Sequence, residues 1–406
     1  MVAVKKLSAF HFISGGLCSL VIAMGVGRFA YTPLLPGMQA QFGFNDAIAG
    51  LIASLNYVGY LLGAVLCRKT LTNAMKLRGF RYSIVISLLT TLTMGLFDNE
   101  VTWMALRFLG GAASAAVFVL GSAIVMDQLE QSTSSHLAML IYSGVGLGIA
   151  FSGAISPALT KAFGVQNAWI GLAILCLPLA VWCWHTLIPQ AQAYKAQRIR
   201  NEESKANNSN LLGWLSGAYF CEGFGYIVSG TFLVAFLKQT ADVNSSGEVA
   251  WIIVGLSASA AVPFFHLLSR YWQPVNVLIF GHGLQALGIL LPVISSHWLL
   301  VNSGAVLFGG TFMGITALSL YIGKTMRPNK SQAVIGLLTA VYGVGQILGP
   351  LVSGVLSTHS GNFKSALLLS ASIVALGGLL LVVGKFRAGR NGSSIMKNQE
   401  ESHAVR

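Results

Sequence analysis

Residues 211–237 read LLGWLSGAYFCEGFGYIVSGTFLVAFL, an apolar run broken by one ionisable side chain, Glu222. A helix that crosses ~30 Å of hydrocarbon needs about 20 predominantly apolar residues. This stretch meets that length and exceeds what the core helix of a water-soluble domain requires. Eleven further runs of the same kind occur, so the sequence predicts twelve spans: near 10–35, 47–66, 80–97, 101–125, 137–159 and 168–188, then 211–237, 249–268, 277–294, 299–322, 333–356 and 363–383. The first run follows Lys5 and Lys6, as a signal peptide would. It continues too far and lacks a small-residue cleavage site, so it reads as a span.

Composition agrees. Charged residues make up 9% of the 406 and hydrophobic ones 54%, against about 25% charged in soluble domains. A soluble enzyme, a disordered chain and a coiled coil are excluded. The five cysteines (Cys18, Cys67, Cys176, Cys183, Cys221) form neither a CxxC pair nor a Cys/His cluster, so no disulfide framework or metal site is expected. No cofactor is expected either. The excess of basic residues, 25 against 12 acidic, is explained by their placement rather than by nucleic acid. With both termini on one side, twenty Lys and Arg fall on that side. Three (Lys161, Lys238, Lys364) fall opposite, and Arg28 and Arg107 lie inside spans. Cationic loops stay cytoplasmic, so both termini are expected inside.

The chain divides into a first half, 1–188, a polar cytoplasmic linker, 189–210, a second half, 211–385, and a tail, 386–406, expected to be irregular. Gly25-Val26-Gly27 returns as Gly223-Phe224-Gly225, Gly110-Gly111 as Gly309-Gly310, and Gly144-Val145-Gly146 as Gly343-Val344-Gly345. These pairs recur at nearly one offset and join each span to the sixth after it. Two repeated six-helix bundles, all-α and membrane-embedded, follow from that pattern. GxxxG spacings at Gly144/Gly148 and Gly345/Gly349 allow close helix packing, with sliding where the halves meet as the functional reading. Pro33 and Pro36 are expected to bend or end the first span.

Charges inside hydrocarbon cost several kcal/mol unless they face a partner or a wet cavity. Three stand out: Arg28, Arg107 and Glu222. At ~1.5 Å per residue Glu222 lies near the midplane, and the two arginines share one depth in the first half. Arg28 shares a face with Tyr31 and Thr32, and Glu222 with Tyr219, Tyr226 and Ser229. Asn56 and Tyr60 in the second span, and Tyr342, Gln346 and Ser353 in the eleventh, complete a set of polar stripes that reads as the wall of a central cavity. The expected substrate-binding residues are Arg28, Tyr31, Asn56, Tyr60, Arg107, Tyr226, Tyr342 and Gln346. Glu222 is expected to couple transport to protons, since a lone buried carboxyl suits loading and releasing one. His282 reads as a packing residue. No catalytic triad, HExxH or phosphate loop can be assembled, so the chain is not expected to be an enzyme.

These strings resemble those of the major facilitator superfamily (MFS), and specifically its YbfB/YjiJ branch. The resemblance rests on GVGRFAYTPLLP at 25–36, GFGYIV at 223–228 and GVGQILGP at 343–350. It implies alternating access, with spans 1, 4, 7 and 10 lining the cavity. Arg107 with Gly111 matches the RxxxG pattern of the fourth span, which in proton-coupled relatives is linked to proton transfer. Cys67 stands where the loop after the second span usually carries an acid. The expected function is a proton-coupled secondary transporter of the bacterial inner membrane, monomeric among lipid. Export of a small anionic or amphipathic metabolite or drug is the first expectation, and proton-coupled uptake of an organic anion the second.

Overall fold

The computed structural model describes residues 9–67, 72–129, 135–187, 209–240, 246–327 and 330–404, and its regular elements are all helical. Helix α1 (Ala9–Leu20) passes through a π-helical turn, Val21–Val26, into α2 (Tyr31–Phe42). Then come α3 (Asp46–Leu66), α4 (Asn73–Met94) and α5 (Glu100–Leu129). A 3₁₀ segment, Ser135–Tyr142, leads into α6 (Ser143–Leu175), followed by α7 (Leu177–Thr186) and α8 (Ser209–Gln239). The chain closes with α9 (Ser246–Leu268), α10 (Pro274–Ile294), α11 (Trp298–Met326), α12 (Ser331–Ser360) and α13 (Lys364–Ala404). Lys5, Lys6, Arg68, Lys69 and nearly all of the expected linker lie outside the described residues.

Ten helical stretches among the described residues are long and apolar enough to cross a membrane. α4 is not among them, because Lys76, Arg78 and Arg81 occupy its first turns. The expected fifth and sixth spans form one stretch, Met139–Thr186, of 48 residues. It turns at Gly164, whose φ of +82° is open to glycine and strained for other residues. The sequence expects an eight-residue loop there; one left-handed glycine replaces it. Gly43 (φ +75°) and Gly361 (φ +74°) end α2 and α12 in the same way. Asn45 opens α3 by accepting the Ile48 amide at 3.0 Å, the usual duty of an N-cap. Pro33 and Pro36 lie within α2, so the first span is longer than expected and its break falls earlier, around the π turn. The tail also differs from expectation: α13 runs on to Ala404, since a helix already formed extends without a new nucleus.

The surface is apolar, with Leu62, Leu89, Val101, Leu256, Ile294 and Leu379 all exposed, while Arg28, Asn56, Arg107, Glu222, Gln285 and Gln346 are buried. A lipid-facing exterior and a polar interior explain both sets. Three seams join helices before Leu187 to helices after Ser209. In the first, Thr32 Oγ1 donates to the Gly230 carbonyl. In the second, α3 meets α12: Ser357 Oγ donates to Asp46 at 2.6 Å, Thr358 Oγ1 accepts from the Ala47 amide at 3.0 Å, and Ser54 Oγ donates to the Ile347 carbonyl at 2.8 Å. In the third, α6 meets α9 where Gly146 packs on Gly255 and Ser259. This corrects the glycine reading. Gly144 and Gly148 pack on α1 and the π turn, and Gly345 and Gly349 on α8. Across the seams Gly146 meets Gly255, Gly50 meets Gly354, and Gly343 meets Leu61.

Candidate functional site: an arginine in an aromatic box

The site begins with a missing amide. In a regular helix the carbonyl of Phe29 would accept from residue 33, but Pro33 has no N–H. Thr32 N donates to Phe29 O instead, at 3.2 Å. The π turn just before it pairs Gly27 N with Ile22 O (2.8 Å) and Phe29 N with Met24 O (3.1 Å). The carbonyl of Arg28 thereby loses its ordinary donor, Thr32. Arg107 replaces it: Nη2 donates to Arg28 O at 3.0 Å and Nη1 to Gly27 O at 2.9 Å. The backbone of Arg107 is held in turn by Asn56, whose Nδ2 donates to the Arg107 carbonyl at 2.7 Å. The Arg107 guanidinium lies 4.9 Å from the centre of the Tyr31 ring, and the Tyr31 hydroxyl donates to Ala49 O at 3.1 Å.

The Arg28 side chain is 2% exposed. Its guanidinium carbon lies 4.3 Å from the Tyr60 ring centre, 4.5 Å from Tyr57 and 5.4 Å from Phe29. Such faces attract cations through the ring quadrupole, by about 0.5–2 kcal/mol each. Nη2 donates to the Tyr226 hydroxyl at 3.4 Å, while Nε has no partner. Among the described residues the ion pairs include Lys76–Asp127 and Lys238–Glu248, both 2.8 Å; no described carboxylate pairs with Arg28. A buried cation without a counter-ion is costly, and aromatic rings recover only part of that cost.

Across the seam the box is closed by stacked rings. Tyr226 lies parallel to Phe312 (5.4 Å) and Tyr342 (5.6 Å), and Tyr342 to Tyr219 (4.3 Å). Gln346 Nε2 donates to the Tyr226 hydroxyl, and its Oε1 is unpartnered. The Tyr342 hydroxyl is 3.2 Å from Thr316 Oγ1.

Glu222 lies beside Tyr219 and Tyr342 but makes its hydrogen bond outside this network. It is fully buried, and its Oε1 accepts from Gln285 Nε2 at 3.0 Å. His282, one turn away on α10, has Nδ1 2.8 Å from Leu278 O and packs beside Gly377 of α13. The structure therefore brings together Arg28, Tyr31, Asn56, Tyr60, Arg107, Tyr226, Tyr342 and Gln346. It does not bring Glu222 to either arginine, where the sequence reading set all three on one chamber. Tyr57, Phe312, Thr316 and Gln285 join the site unforeseen. Tyr57 stands three residues before Tyr60 and so shares its face, a spacing that would have found it.

A sequence model of the family described as "Uncharacterised MFS-type transporter YbfB" matches residues 20–382. The chain is 19% identical over 380 residues to a gentisate transporter of Corynebacterium glutamicum, covering 89% of this chain and 85% of the relative. It is 22% identical over 446 residues to a benzoate transport protein of Acinetobacter baylyi, covering 92% and 90%. The crystal structure of the nucleoside transporter NupG superposes with a TM-score of 0.71 at 12% identity, covering 92% of this chain and 98% of that one; at that identity the likeness concerns the fold.

Proposed function

Because the chain belongs to the MFS-type transporter family typified by YbfB, a family of multi-pass membrane transporters and not of enzymes, we propose that it carries a small aromatic carboxylate across the membrane by alternating access, driven by protons. The observation that carries this reading is Arg28. A desolvated guanidinium with a free Nε and no counter-ion, walled by Tyr57, Tyr60 and Tyr226, is complementary to a carboxylate on a flat ring. The names of the gentisate and benzoate relatives support the same substrate class.

Twelve crossings are the architecture this reading takes. Ten stretches meet the length and hydropathy a crossing requires, α4 adds another, and Met139–Thr186 counts twice because it turns at Gly164. They form two six-helix halves, 1–188 and 211–385, joined by the 189–210 linker. The termini face the cytoplasm of a bacterial inner membrane, by the placement of Lys and Arg.

Glu222 carries the proton. Its separation from Arg28 favours uptake by symport over the export first expected from sequence. A proton and an anion held by different groups can be loaded together, whereas exchange needs them to compete. Reconstituted protein given labelled benzoate outside and an inward proton gradient is expected to accumulate it, and a protonophore to abolish the accumulation. Arg28→Gln is expected to abolish it too. Accumulation indifferent to the gradient would remove the coupling; undiminished transport by Arg28→Gln would remove the anion site.

A further inference from the structure

Two buried side-chain oxygens lack partners: Oε2 of Glu222 and Oε1 of Gln285. Both are 0% exposed residues, on α8 and α10. They are the remaining atoms of two planar groups already joined by one hydrogen bond, Gln285 Nε2 to Glu222 Oε1. A carboxylate offers acceptors only, as does the amide oxygen, so in the ionised form neither orphan can satisfy the other. Adding one proton to Oε2 changes this. The acid O–H then donates to Gln285 Oε1 while the amide N–H continues to donate to Glu222 Oε1, closing a ring of two hydrogen bonds. Buried unsatisfied polar atoms cost about 1–3 kcal/mol apiece, and a single proton removes two of them.

We infer that Glu222 and Gln285 form a carboxylic acid–amide pair that binds one exchangeable proton, with Gln285 as the positioning residue that makes the protonated acid fit. The proton arrives from water as hydronium and returns to water; only O–H bonds form and break. The inference rests on the proton-coupled reading for its use, but not for its geometry. The surroundings favour a neutral pair. The titratable groups that Glu222 acts on are Tyr219 and Cys221 on its own helix and Tyr342 on α12; His282 stands three residues before Gln285 on α10 and bonds to Leu278 O. α13 presents Gly377 beside Cys221, and Thr316 of α11 meets the Tyr342 hydroxyl. The groups acting on the carboxyl include no described arginine or lysine.

Infrared difference spectroscopy of the full-length protein in lipid, stepped through pH, reads this pair directly. The wild type is expected to show a protonated-carboxyl carbonyl band that bleaches as pH rises and is absent in Glu222→Gln. Gln285→Leu is expected to move that band to the higher frequency of an acid without a hydrogen-bonded carbonyl, and to displace its bleaching midpoint by about one pH unit. Gln285→Glu, which keeps a partner, is expected to restore the lower frequency. A wild type with no such band wherever the protein stays folded would overturn the pair, as would a Gln285→Leu band unchanged in frequency and midpoint. The band needs no transport assay. Failed benzoate accumulation with the band intact would therefore count against the transport reading alone.

Discussion

Arg107 holds the backbone of Arg28: its Nη2 donates to the Arg28 carbonyl at 3.0 Å, and its Nη1 to the carbonyl just before it. The fourth-span arginine thus spends both terminal nitrogens on the irregular stretch that Pro33 and the π turn create. Charge-assisted hydrogen bonds of this kind contribute about 1.5–3 kcal/mol each. Arg107→Lys cannot bridge two carbonyls from one ammonium. It is expected to lose about 2–4 kcal/mol of stability in detergent unfolding, and to weaken ligand binding without touching the ligand.

Tyr226 is the hinge between the arginine and the second half of the chain, since its hydroxyl accepts from both Arg28 and Gln346. Tyr226→Phe keeps the stack on Tyr342 and Phe312 and removes only the oxygen. Equilibrium dialysis with benzoate is expected to show a loss of about five- to tenfold, the equivalent of one neutral hydrogen bond.

Asp46 fastens one end of the molecule. It accepts from Gln39 Nε2 at 2.7 Å and from Ser357 Oγ at 2.6 Å, tying α2, α3 and α12 together. Asp46→Ala is expected to loosen that end by about 1–2 kcal/mol, a five- to thirtyfold shift toward its open state. A cysteine placed at the buried position 353 should then react faster with a membrane-impermeant maleimide than in the otherwise unaltered protein.

Glycines divide by what they touch. A Cβ on Gly25 would fall on the backbone of Gly148, whereas Gly283 has open space around it. Gly25→Ala is expected to destabilise by more than about 2 kcal/mol through overpacking. Gly283→Ala is expected to stabilise by up to about 1 kcal/mol through helix propensity. Thermal unfolding in detergent checks both.

Much of this molecule is legible in the chain because hydrocarbon leaves so few choices. A run such as 211–237 must be a helix, and a guanidinium inside one must face something, so Arg28, Arg107 and Glu222 were conspicuous. Equal depth set Arg28 and Arg107 level with each other, without placing them in contact. Partners across helices were harder, because rotation about each axis decides them. Gln285 lies 63 residues from Glu222 on the ninth span, outside the cavity-lining set that the family resemblance implies, and nothing local marks it as the acid's partner. Tyr57 was legible by its three-residue spacing from Tyr60, but an aromatic ring on an apolar helix reads equally as core, so the spacing alone did not single it out. The duty of Arg107 was hidden too, since it is owed to a proline 74 positions earlier that removes an amide rather than adding a group.

Calorimetric titration of benzoate and benzamide into purified wild type and Arg28→Gln tests the anion site most directly. The two ligands share a ring and differ in charge. The wild type is expected to prefer benzoate by about a hundredfold, the equivalent of a desolvated charge-assisted pair, and Arg28→Gln to abolish that preference while still binding benzamide. Equal affinities in the wild type, or a preference that survives the substitution, would contradict the account.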